Sequence, residues 1–172
     1  MMDKCTIQMV KFVVAGAAVA AALWAAETAH ASSTVAMVCE LRGNQEAPAP
    51  VVTPARGCGR FEIDVNTNTI KYYIAFSGLL GAETAAHFHG NAGPGVAAGV
   101  KIALPLGNPK VGAAVYLEAD EPAILSGNWY VNIHSVVNPG GEIRGQMNHF
   151  AALLNSYQEG PGVVATWPPP QR

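Results

Sequence analysis

Charge is scarce in this chain. Ten basic and 12 acidic residues among 172 leave a net charge of −2, which provides neither a basic footprint for nucleic acid nor an acidic tail. Helical periodicity is missing as well. No long segment repeats its apolar residues at helical spacing, and nothing between the candidate strands is long enough to be a crossover helix, which argues against βαβ units. There is no G-x-S-x-G elbow and no phosphate-binding P-loop. Ser135 beside His134 does not make a nucleophile–base pair, because adjacent residues of a strand face opposite ways. After the N-terminus no apolar run is long enough to span a bilayer. The length suits one domain plus a targeting segment.

What is present begins with an export pattern. Lys4 and Lys11 precede an unbroken apolar stretch from Phe12 to Ala26, and Ala29-His30-Ala31 follows as a small-x-small site. The stretch has about 15 residues, short of the roughly 20 that cross a membrane as a helix. A cleaved signal peptide over residues 1–31 is therefore expected, with a periplasmic or secreted product that keeps no membrane span. Cleavage there removes Cys5 and leaves Cys39 and Cys58, which in an exported domain are expected to pair as a disulfide. Closing a loop of about nineteen residues is worth about 3 kcal/mol in the chain-entropy model.

Alternation with period two dominates from Val35 to Met147. Val35 to Leu41 is a first strand, and the proline-containing stretch from Gly43 to Gly59 reads as a long loop. Phe61, Ile63 and Val65, then Ile70, Tyr72, Ile74 and Phe76, form two arms of a hairpin around Asn66-Thr67-Asn68. Further strands are expected over Thr84–His89, Val96–Leu104, Val111–Glu118, Trp129–Ser135 and Glu142–Met147. About eight short strands between turn signals predict an all-β domain over residues 32–147, an antiparallel sandwich or Greek-key barrel. Asn148 to Tyr157 reads as a short helix, and the prolines from Pro161 to Pro170 favour an extended tail out to residue 172.

The chemistry-bearing residues fall in three of these strands. Phe88 is the apolar member of Ala86-His87-Phe88-His89-Gly90, so His87 and His89 point the other way. Trp129, Val131 and Ile133 form one face of the next strand, which leaves Tyr130, Asn132 and His134 on the other. Glu142, Arg144 and Gln146 lie opposite Ile143 and Met147, and Asn138-Pro139-Gly140-Gly141 links the last two strands as a hairpin. If the strands are neighbours, one sheet face gathers His87, His89, His134, Asn132, Glu142 and Arg144. Two readings stay open. Three imidazoles can hold zinc or copper with a coordination position left open, with His149 as a further candidate. Alternatively, the histidines hydrogen-bond adjoining loops while Glu142 and Arg144 form an ion pair. The glycine-rich run Gly90–Gly95 follows a strand without opening a helix, and so reads as a tight turn instead of a phosphate cradle.

The same residues carry a family resemblance. His87-Phe88-His89-Gly90-Asn91-Ala92-Gly93 resembles the His-x-His-Gly-x-Ala motif of CHRD domains. Trp129 to Ser135, followed by Asn138 to Gln146, resembles their closing signature. Asn44-Gln45-Glu46-Ala47-Pro48 is similar to their entry loop. The resemblance spans roughly residues 35–147; the Cys39/Cys58 pair and the tail lie outside the family pattern. It implies no established catalytic activity, and in chordin the context is binding of growth factors. Two fragments, His87-Phe88-His89 and Gly90-Asn91-Ala92-Gly93, also resemble separate pieces of Cu,Zn superoxide dismutase signatures. The four histidines left after cleavage fall short of that enzyme's two-metal ligand set, which argues against a dismutase and leaves a single copper or zinc site. The leading expectation is an exported, non-enzymatic binding or structural module that meets a protein partner or self-associates. The alternative is a periplasmic metal protein using His87, His89 and His134.

Overall fold

Residues 33–149 are described by a computed structural model. The expected signal peptide and the tail beyond His149 lie outside them. Nine strands form one antiparallel sheet curled into a nearly closed barrel. They are β1 (Thr34–Arg42), β2 (Arg56–Asp64), β3 (Thr69–Ser77), β4 (Glu83–His89), β5 (Val100–Leu104), β6 (Lys110–Val115), β7 (Tyr130–Ser135), β8 (Ile143–Gln146) and β9 (Asn148–His149). The order across the sheet is β5-β4-β7-β8-β1-β2-β3-β6, with β9 paired to β1. The one α-helix among the described residues is the short α1 (Glu121–Leu125). The all-β expectation holds.

Local chemistry explains the reversals. Between β2 and β3 the side chain of Asp64 accepts the Asn66 N–H at 3.0 Å, and Asn68 takes a left-handed φ of 51°, a conformation that asparagine tolerates. Between β7 and β8 the Ser135 hydroxyl accepts the Asn138 N–H at 3.1 Å. Asn148 and His149, expected to open a helix, instead lie across from Val38 and Met37 of β1.

The barrel interior is filled by alternate residues. Met37, Cys39 and Leu41 of β1 meet Phe61, Gly59 and Gly57 of β2, while Ala86 and Phe88 of β4 meet Ile133 and Val131 of β7. Phe88 contacts Phe61 and Tyr72 edge to face, with centroids at 5.7 and 5.8 Å. Trp129 closes the same cluster.

The expected disulfide between Cys39 and Cys58 does not form, and Cys39 is a free, buried thiol. The register gives the reason. Cys39 lies across from Gly59 and Cys58 across from Glu40, so the two side chains leave opposite faces of neighbouring strands. The missing side chain of Gly59 makes room for Cys39, since a Cβ there would sit 2.9 Å from its sulfur. Burial pushes the Cys39 thiol up to about 12, so it stays protonated and acts as a core residue.

Candidate functional site

Strands β4, β7 and β8 are neighbours in the sheet, and the register lays out the face turned away from the core. His89 lies across from Tyr130, His87 across from Asn132, and Ala85 across from His134. On the other side of β7, Asn132 faces Arg144 and Tyr130 faces Gln146. Five of the six expected polar residues therefore share this face: His87, His89, His134, Asn132 and Arg144. The loops at residues 43–46 and 91–98 roof it, through Glu46 bonded to Asn132 and Ala98 bonded to both His89 and Tyr130.

The three imidazoles converge. One ring nitrogen from each of His87, His89 and His134 falls within 4.8 Å of the other two. His87 Nδ1 is 3.2 Å from His134 Nε2. Two of the rings are fixed from behind. His89 Nδ1 is 2.9 Å from the Ala98 carbonyl, and His134 Nδ1 is 2.9 Å from the Pro139 carbonyl. A carbonyl oxygen only accepts, so both Nδ1 atoms carry a proton, and the neutral form of either ring would keep its lone pair on Nε2. His89 Nε2 is buried and has no hydrogen-bond partner among the described residues. Burial, followed by repulsion from His134 and His89, holds His87 below the ordinary histidine value of 6.5; burial does the same for His89, opposed by the Ala98 hydrogen bond and aided by the charges of His134 and Arg144. Both rings are therefore neutral at pH 7, the form that ligates metal. His149 is elsewhere, its Nε2 donating to the Leu125 carbonyl at 2.7 Å.

The expected pairing of Glu142 with Arg144 is not found. Glu142 precedes β8, and its fully buried carboxylate accepts from Ser135 Oγ at 2.5 Å, Thr53 Oγ1 at 2.6 Å and the Leu80 N–H at 2.8 Å. Arg144 donates instead to the carbonyls of Val96 and Gly93 and to Gln146 Oε1, at 2.9, 3.0 and 2.9 Å. The strand begins only at Ile143, so alternation does not govern where the Glu142 side chain goes.

Glu46, whose one sequence signal is the resemblance of Asn44 to Pro48 to an entry loop, reaches the site. Its Oε2 accepts from Asn132 Nδ2 at 3.1 Å, while its Oε1 and Asn132 Oδ1 are buried without a partner. Gly141 makes this approach possible: its φ is 128°, and a Cβ there would stand 2.6 Å from the Asn132 amide. Burial raises Glu46 to about 7, against the opposing pull of the Asn132 hydrogen bond and the Arg144 charge. A carboxyl raised on folding binds a proton more tightly in the folded chain, so its contribution is complete below about pH 4.5 and is lost as the pH climbs towards 7. Glu46→Gln removes that loss while keeping an acceptor for Asn132. The variant is expected to exceed the parent in stability at pH 8, by no more than about 3 kcal/mol, and to match it near pH 4 in urea titrations.

Residues 37–147 match the family model of the CHRD domain. No curated protein and no solved structure matches the chain.

Proposed function

We propose, from the premise that this chain belongs to the CHRD domain family, that its domain is an exported metal-binding module holding one copper or zinc ion through His87, His89 and His134. The observation that carries this reading is the convergence of three imidazole nitrogens within 4.8 Å, two of them on rings whose opposite nitrogens are tied to backbone carbonyls. Metal-binding histidines usually make such second hydrogen bonds, which fix tautomer and orientation before the ion arrives. Three neutral nitrogen donors with a coordination position open suit copper or zinc better than magnesium or calcium, which favour oxygen. The export part of the reading draws its support from the N-terminal pattern of Lys4, the apolar run and Ala29-His30-Ala31. Self-association has a route in the two strands at the ends of the sheet, β5 and β6, which carry the exposed Val100, Val111 and Val115.

The competing reading is a binding module whose histidines only brace the loops, and the bonds to Ala98 and Pro139 favour it as well. The two diverge at His89 Nε2, a buried lone pair that bracing leaves unused. Untagged protein should take up one equivalent of copper or zinc by elemental analysis, and His87→Ala or His134→Ala should weaken uptake at least about 100-fold. Because burial holds His87 and His89 below the ordinary histidine value, uptake should persist at neutral pH and be lost in acid, where protons compete with the ion for these rings. Absence of uptake by the parent protein at pH 7 would overturn the metal reading.

A further inference from the structure

Arg144 is almost fully buried, at 2% exposure, and among the described residues it has no carboxylate in ion-pair contact. The ion pairs among the described residues join Arg42 to Glu40, Lys101 to Asp120 and Lys110 to Glu83. Arg144 gives its hydrogen bonds to neutral oxygens alone. An unpaired buried cation is costly, so its position calls for an explanation.

The guanidinium carbon lies 3.5 Å from the centroid of the Tyr130 ring. That ring is stacked in turn on His89, with centroids 4.9 Å apart and planes 8° from parallel. Since β4 and β8 flank β7, Tyr130 is held between the arginine on one side and the histidine on the other. A second connection runs through the roof. Arg144 grips Val96 and Gly93, the Tyr130 hydroxyl accepts the Ala98 N–H at 2.9 Å, and the Ala98 carbonyl orients His89. Both routes from Arg144 end on the same imidazole.

We propose that Arg144 sets the metal preference of this site, its permanent positive charge behind His89 favouring monovalent copper over divalent zinc. This inference rests on the three-histidine reading above. The three donors are neutral and bring no charge to offset the ion. The nearest carboxyl on this face, Glu46, is held partly protonated at neutral pH and so offsets Arg144 only in part. Glu142, fully ionised, is committed to Ser135, Thr53 and Leu80. A fixed cation repels a dication twice as strongly as a monocation. The guanidinium lies 3.5 Å from the Tyr130 ring and that ring 4.9 Å from His89, so the charge stands about 8 Å from the imidazole; one unit of charge at about that distance and an effective dielectric of about 20 corresponds to a preference of up to roughly thirtyfold.

The test compares Cu(I) and Zn(II) affinities of the full chain by chelator competition under anaerobic reducing conditions, for the parent, Arg144→Met and Arg144→Lys. Arg144→Met should gain on the Zn(II) side and narrow the Cu(I)-to-Zn(II) ratio by up to about thirtyfold. Arg144→Lys keeps the charge but loses the planar fork, and should retain the parent's ratio even if it is less stable. An unchanged ratio in folded Arg144→Met overturns the proposal while leaving the metal reading intact. If Arg144→Met does not fold, Arg144→Gln replaces it with the same two outcomes, and a shift towards zinc in folded Arg144→Lys also overturns the proposal. A parent protein that binds neither ion overturns this proposal together with the reading beneath it.

Discussion

Replacing Glu142 with alanine is expected to lower stability by about 3 kcal/mol or more, seen as a lower urea midpoint at pH 7. The carboxylate is fully buried, and three donors from separate segments converge on it: Thr53 from the loop after β1, Leu80 from the loop after β3, and Ser135 at the end of β7. Alanine leaves all three without an acceptor, and the loops lose their common anchor. Burial alone would raise the Glu142 pKa, but the hydrogen bonds from Ser135, Thr53 and Leu80 outweigh it and hold the group below its usual value of 4.5. The sign is therefore opposite to that of Glu46. A carboxyl lowered on folding contributes stability that is complete above about pH 4.5 and is lost as the pH falls through its folded value. The parent should weaken in acid below that point, and Glu142→Ala should weaken less. Equal acid sensitivity in the two proteins would show that the anchor lies elsewhere.

Phe88→Ala should cost about 3–5 kcal/mol, the range for deleting a fully buried aromatic ring. Phe88 has no exposed surface and meets Phe61, Tyr72 and Trp129 at centroid distances of 5.7, 5.8 and 6.2 Å. The residues on either side of it are His87 and His89, so a looser core beneath β4 also loosens two of the three imidazoles above it. Under the metal reading, copper or zinc binds the folded chain and should recover part of the loss, about 2.7 kcal/mol at an ion concentration 100 times the dissociation constant. Thermal melts of parent and variant with and without metal read both effects. A cost under about 1 kcal/mol would show that the barrel interior repacks without Phe88.

The parts that were legible in the sequence share one physical origin. Within a regular strand side chains alternate, so Phe88 inside fixes His87 and His89 outside, and Val131 and Ile133 inside fix Asn132 and His134 outside. The turn chemistry of Asn138 to Gly141 identified the β7–β8 hairpin for a similarly local reason. The expectation of a Cys39–Cys58 disulfide fails because Arg56 to Gly59 belong to β2 and not to a loop. Gly57 and Gly59 hide the alternation there; had β2 been extended back from Phe61, Cys58 would have fallen on the face opposite Cys39.

Sequence alone thus determined that residues 35–147 build an antiparallel β domain, and which side chains of each strand leave its polar face. Both follow from the geometry of a single strand and its turns. Only the tertiary structure decided that β4, β7 and β8 are neighbours, that three imidazoles meet within 4.8 Å, and which groups stand behind them. Glu46 is 86 residues from Asn132, Thr53 is 89 from Glu142, and Val96 is 48 from Arg144. No local pattern links such pairs, because their contact depends on how the barrel closes and where its loops fold back. The same closure turned Glu142 away from the face that alternation had assigned to it, and left Arg144 stacked on Tyr130 without a carboxylate.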